Sequence, residues 1–222
     1  MFCVAIALIA LLLTVLRAPN VEAVSNGVER RIFEVRTDGK PSGHYEFQLN
    51  EKGSATDVVE DCDVNAKLLV LHFQYKYHAH EAWKSNRLVS FDSKRDDNFK
   101  HCVLSVQSTG DKLSMTVNGK TPHTVDGDII TSSYWFLPNP GSEKFSRRYL
   151  EIDTGRIYDA ESVLVGSESI QVGDQKLNCK HYKMTGGDSE DLWYDEQNRL
   201  VRQSEIDAGH RTIITLQSIA HA

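Results

Sequence analysis

Apolar and polar residues alternate with a period of two along several stretches of this chain, a pattern that few folds tolerate. Tyr45, Phe47 and Leu49 alternate with His44, Glu46, Gln48 and Asn50; Leu113, Met115 and Val117 alternate with Lys112, Ser114 and Thr116. Phe33 and Val35 alternate with Glu34 and Arg36 in the same way. Successive side chains of a strand point to opposite faces, so each run has one dry and one wet face, as in an antiparallel sheet. Turn signals separate the runs: Asp38-Gly39, Thr109-Gly110-Asp111, Asn118-Gly119, Asp153-Thr154-Gly155, Gly173-Asp174, Gln197-Asn198 and Ala208-Gly209. Asn-Gly closes a two-residue hairpin because both central residues must take positive φ. Turns this closely spaced leave no room for crossover helices, and the expectation is an all-β meander of short strands.

The longest strand candidate runs from Lys67 to Trp83, with Leu69, Leu71, Phe73, Tyr75, Tyr77, Ala79, Glu81 and Trp83 on one face. Straight, it would reach roughly 50 Å, so a bend at a bulge or a division into two strands across a corner is expected. Residues 128–141 break the alternation: Tyr134-Trp135-Phe136-Leu137 precede Pro138-Asn139-Pro140, and the prolines forbid ladder hydrogen bonds. A short helical turn or inserted loop that plugs one mouth of the sheet fits this segment. So many strands, with edges to protect, favour curling into a barrel, half-barrel or sandwich.

Residues 1–23 read as a secretory signal peptide. Val4 to Leu16 is apolar or small except for Thr14, and Val21-Glu22-Ala23 offers small residues for cleavage. That run has 13 residues, fewer than the roughly 20 of a membrane-crossing helix, so no stable membrane span is expected. Export to the periplasm or beyond follows, with 24–222 as one domain. The full chain carries 25 Lys+Arg against 31 Asp+Glu, a net charge of −6. Cleavage would remove Arg17 and Glu22 and leave that charge unchanged, without the basic surface that nucleic acid requires. Cys62, Cys102 and Cys179 fall on apolar faces and read as core residues, with one internal disulfide as the alternative.

A succession of short motifs spans almost all of this domain. Phe33-Glu34-Val35-Arg36 with Asp38-Gly39-Lys40-Pro41 opens it. His80-Glu81-Ala82-Trp83, Asn86-Arg87-Leu88, Asp96-Asp97-Asn98 and Thr131-Ser132-Ser133-Tyr134-Trp135 follow. Leu192-Trp193-Tyr194-Asp195 with Asn198-Arg199-Leu200-Val201-Arg202 closes it. In this order they resemble the uncharacterised family of exported bacterial proteins called domain of unknown function 6134. The resemblance implies an envelope β protein and carries no activity with it.

Four constellations bear on chemistry. His78 and His80 share one strand face, and two imidazoles with a carboxylate can hold zinc or iron; Glu81, however, points the other way. Glu81 lies among Tyr75, Tyr77 and Trp83, and Glu60 sits similarly beside Val58 and Cys62; a carboxylate on an apolar face needs a partner or a raised pKa. A salt bridge from Glu81 to Arg87 or Arg95 is the expected solution, and a polar contact inside a ligand cavity is the alternative. Asp92, Asp96, Asp97 and Asn98 read as turn chemistry rather than a calcium loop. Gly166-Ser167-Glu168-Ser169 and Gly187-Asp188-Ser189 lack the setting of a catalytic serine, and no phosphate or dinucleotide loop is present, so no cofactor is expected.

Three functions remain open. The first is a non-enzymatic exported protein that binds an apolar or amphipathic small molecule through Tyr75, Tyr77, Glu81, Trp83, Tyr134 and Trp135. The second is a structural or assembly factor that contacts another envelope protein. The third is a metal-dependent enzyme using His78 and His80.

Overall fold

A computed structural model describes residues 27–68, 71–98, 100–187 and 189–222; the signal peptide read at 1–23 lies outside the described residues. The chain forms β1 (Gly27–Thr37), β2 (Lys40–Lys52), β3 (Ala55–Leu68), β4 (Leu71–Lys84), β5 (Arg87–Asp97), β6 (His101–Thr109), β7 (Lys112–Val117) and β8 (His123–Asp126). β9 (Ile130–Thr131), β10 (Lys144–Leu150), β11 (Ile157–Val172), β12 (Gln175–Thr185), β13 (Glu190–Tyr194), β14 (Leu200–Asp207) and β15 (His210–His221) complete it. No described residue is helical.

All 15 strands belong to one sheet, ordered β8-β7-β6-β5-β4-β3-β2-β1-β15-β14-β13-β12-β11-β10-β9. Each consecutive pair is a hairpin neighbour, apart from two features. β1 pairs antiparallel with β15, which joins the two halves of the chain in mid-sheet, and the two-residue β9 lies parallel to β10. Bulges at Ile32/Phe33, Val35/Arg36, Ala82/Trp83 and Leu164/Gly166 add twist and bend the sheet round an interior. Its edges, β8 and β9, do not pair with each other; both are short, as protected edges are. Side chains span the seam instead, Arg148 Nη1 donating to Asp126 at 3.3 Å and Arg95 Nη1 to Asp153 at 3.0 Å. The result is an open, barrel-like curl.

The alternation predicted from sequence places the core. Tyr45, Phe47 and Leu49 of β2 are buried, as are Leu113 and Met115 of β7 and Phe33 and Val35 of β1. Asn118 and Gly119 take positive φ, 51° and 66°, but β7 and β8 pair only as far as Met115 and His123, so a loop longer than the expected two-residue turn joins them. A turn at Ser85-Asn86 was not foreseen, since neither residue is glycine although both take positive φ.

Two expectations are refined. Lys67–Trp83 is not one bent strand: Lys67 and Leu68 end β3, and Leu71 opposes Leu68 at the start of β4, so the apolar stretch spans a hairpin. Residues 128–141 form no helical turn; apart from β9 and a bridge from Phe136 to Arg199, they run as a loop.

Gly43 is among the glycines fixed by close approach. At Gly43, beside the Val35/Arg36 bulge, a Cβ would lie 2.0 Å from the Asp63 carbonyl oxygen and 2.8 Å from Val64 Cα. Relief requires β2 and β3 to separate, because the obstacle is backbone. Gly43→Ala is expected to cost about 3 kcal/mol, read as a lower urea midpoint with unchanged slope.

Candidate functional site

The segment between β8 and β10, which includes the edge strand β9, passes through the interior. Ile129, Thr131, Ser133, Tyr134, Trp135 and Leu137 are all buried. It is fastened from four sides. Arg31 Nη1 donates to the Trp135 carbonyl at 2.6 Å, and Leu137 N donates to Asn198 O at 2.9 Å. Tyr134 Oη donates to Glu190 Oε1 at 2.9 Å. The hairpin that receives Leu137 is itself shaped by buried Asp195, whose carboxylate accepts from Gln197 N, Arg199 N and Arg199 Nε at 2.9, 2.9 and 2.8 Å.

The fourth fastening is Glu81, fully buried on β4. Its carboxyl accepts from Trp83 Nε1 at 2.6 Å, Ser133 Oγ at 2.9 Å, and Thr131 Oγ1 and Trp135 Nε1 at 3.1 Å each. The expected salt bridge to Arg87 or Arg95 is therefore corrected: four neutral donors take its place. Arg87 lies 3.7 Å from Asp111 at the surface, and Arg95 is engaged by Asp153. An indole N–H and a hydroxyl can follow a carboxylate into a dry interior without bringing a second charge to desolvate.

Glu60, also fully buried, faces Ala79 across β3 and β4 and so stands diagonally beside Glu81 on the inner face. Tyr45 Oη donates to its Oε2. Its Oε1 has no donor among the described residues. Burial, followed by the neighbouring charge of Glu81, pushes the Glu60 carboxyl well above the ordinary carboxylate range. The shift favours the protonated form of Glu60 inside the fold.

The segment separates two recesses. One, about 590 Å3, is walled by Val35, Val64, Phe73, Tyr75, Tyr77 and Ile214, with Ser133, Tyr134 and Glu190 among its polar lining. The rings of Phe73, Tyr75 and Tyr77 form a row with centroids 6.5 and 6.4 Å apart and planes within 21°. Six carboxyl side chains line this recess (Asp97, Glu151, Asp153, Glu190, Glu205 and Asp207) against Arg95, Lys100 and His210. The other recess, about 630 Å3, is lined by Arg31, Glu29, Trp135, Phe136, Pro140 and Arg199 among others. There Arg31 Nε lies 2.5 Å from Glu29, and Arg199 Nη1 lies 3.4 Å from the same carboxylate.

The six residues singled out from sequence are thereby divided. Tyr75, Tyr77 and Tyr134 line the first recess and Trp135 the second. Glu81 and Trp83 line neither; they hold the crossing segment, with Trp83 also packing edge-on against Trp135 and Phe136. His78 and His80 are exposed on the outer face, His78 Nδ1 at 2.8 Å from Asp61 and His80 Nε2 at 3.7 Å from Asp57. No group of three potential metal ligands occurs among the described residues. The 92–98 acidic stretch makes turn contacts, Asp97 Oδ1 accepting from Lys100 N at 2.7 Å. Cys62, Cys102 and Cys179 are free; burial pushes the Cys62 thiol up to about 12. Sequence reasoning missed Glu190, Gln203 and Ile214, which reach the recess from the other half of the chain. Glu190 did carry a signal, a charged residue in step with Leu192 and Tyr194 on an apolar face.

Comparison with known proteins agrees with this architecture. The profile of the family described as "Domain of unknown function (DUF6134)" matches residues 33–217. The fold is similar to that of a solved beta-barrel-like protein of domain of unknown function DUF1849 from Brucella abortus, with a TM-score of 0.65 at 8% identity, covering 90% of this chain and 99% of that one. No curated protein matches the chain. No helix of the described residues is long and apolar enough to cross a membrane.

Proposed function

The chain belongs to the DUF6134 family, and from that premise we propose that it is an exported, non-enzymatic protein that holds an apolar or amphipathic small molecule inside its curled sheet. The observation that carries this reading is the 590 Å3 recess with its row of three aromatic rings. Ligand sites are typically concave and a few hundred Å3 in volume, with aromatic and apolar walls beside polar groups that fix orientation. Export rests on the apolar stretch Val4 to Leu16 and the small residues at Val21-Glu22-Ala23.

The neutral fluorescent probe N-phenyl-1-naphthylamine tests the recess. Saturable binding of one probe per chain is expected, and Ile214→Trp, which places a bulkier ring in the recess wall, is expected to weaken it while melting temperature is retained. A wild-type chain that does not bind the probe would remove the reading. Cell fractionation with intact-mass measurement tests export: the mature mass should correspond to a chain starting at Val24.

A further inference from the structure

We propose that the recess prefers an amphiphile with a protonated amine head over one with an anionic head. The inference rests on the binding function proposed above and specifies the chemistry of its ligand. Tyr77 is 4% exposed and lines the recess, yet its hydroxyl has no hydrogen-bond partner among the described residues. Buried hydroxyls are almost always paired, so an unpaired one in the recess wall is a polar group that a ligand donor would satisfy. Burial, and then the Glu60 carboxyl, push the Tyr77 phenol well above its ordinary value, so it stays neutral and offers its oxygen as an acceptor.

The surroundings of that oxygen decide the sign of the partner. Glu190 is buried at the same recess, accepting from Tyr134 Oη at 2.9 Å and from Gln203 Nε2 at 2.7 Å. Carboxyl groups outnumber basic ones two to one in the lining. Of the basic groups, Arg95 lies 3.0 Å from Asp153 and 3.6 Å from Asp97, and His210 lies 2.7 Å from Asp38. Lys100 is exposed. A carboxylate or phosphate head would be desolvated among carboxylates; an ammonium finds acceptors and aromatic faces, both of which favour cations. Phe73 and Tyr75 supply the flat apolar wall for the body of the molecule.

Displacement of N-phenyl-1-naphthylamine by dodecylamine, dodecanol and dodecanoate at physiological salt separates the claims. Dodecylamine should displace one probe per chain at least tenfold more tightly than dodecanoate, with dodecanol between them. Tyr77→Phe should weaken dodecylamine threefold to tenfold and leave probe binding intact. Dodecanoate or dodecanol competing as well as dodecylamine, or an amine affinity indifferent to Tyr77→Phe, would overturn the head-group assignment alone. Absence of probe binding would instead strike the binding function itself.

Discussion

Glu81→Ala is expected to destabilise the protein by about 4 kcal/mol and to free the segment that crosses its interior. Four donors converge on this one carboxylate: Trp83, Thr131, Ser133 and Trp135. Each buried donor left unpaired costs about 1–3 kcal/mol, and water entering the vacated space recovers part of the sum. The loss falls unevenly. Trp83 stays on β4, whereas Thr131, Ser133 and Trp135 lose their hold on the opposite wall. Equilibrium urea unfolding should show the drop, and native-state hydrogen exchange should accelerate most at 129–137. Glu81→Gln keeps the volume but turns one end of the group into a donor facing donors, so it should cost about half as much. If either variant unfolds like the parent, with exchange at 129–137 unaltered, Glu81 does not fasten the segment.

Glu60→Gln is expected to do the opposite and raise stability at neutral and alkaline pH. In the unfolded chain Glu60 titrates near its ordinary value of 4.5; in the fold, burial and Glu81 carry it well above that. Between those two values the folded protein retains a proton that the unfolded chain releases. Folded protein therefore binds more protons, and stability falls as pH rises through the window, by up to about 1.4 kcal/mol per pH unit for one group. Below 4.5 both states are protonated and the effect vanishes. Glutamine keeps the side-chain shape without the titration, and its carbonyl can accept from Tyr45. Thermal melts from pH 5 to pH 9 should show wild type losing stability against Glu60→Gln as pH rises. Parallel profiles would mean that Glu60 ionises normally in the fold.

Much of this architecture was legible before any coordinates, for a local reason. Which face a side chain takes follows from its parity along a strand, and where a strand ends follows from residues such as Asn118 and Gly119 that tolerate positive φ. Hence the inward set Tyr75, Tyr77, Ala79, Glu81 and Trp83 and most hairpins were read correctly. Where local signals were weak the reading slipped: the apolar stretch at 67–71 carries no turn residue, and Ser85-Asn86 closes a hairpin without glycine. Parity, however, names a face and never a partner. Nothing local states that β1 pairs with β15, that Trp135 reaches Glu81 across 54 residues, or that Tyr134 meets Glu190 across 56. Those pairings are settled when the sheet curls and its interior must be filled, because each buried donor and acceptor then has only the opposite wall to turn to. That is why the six residues gathered from one face separated into a recess wall and a fastening, and why the carboxylates of the recess came to light only with the fold.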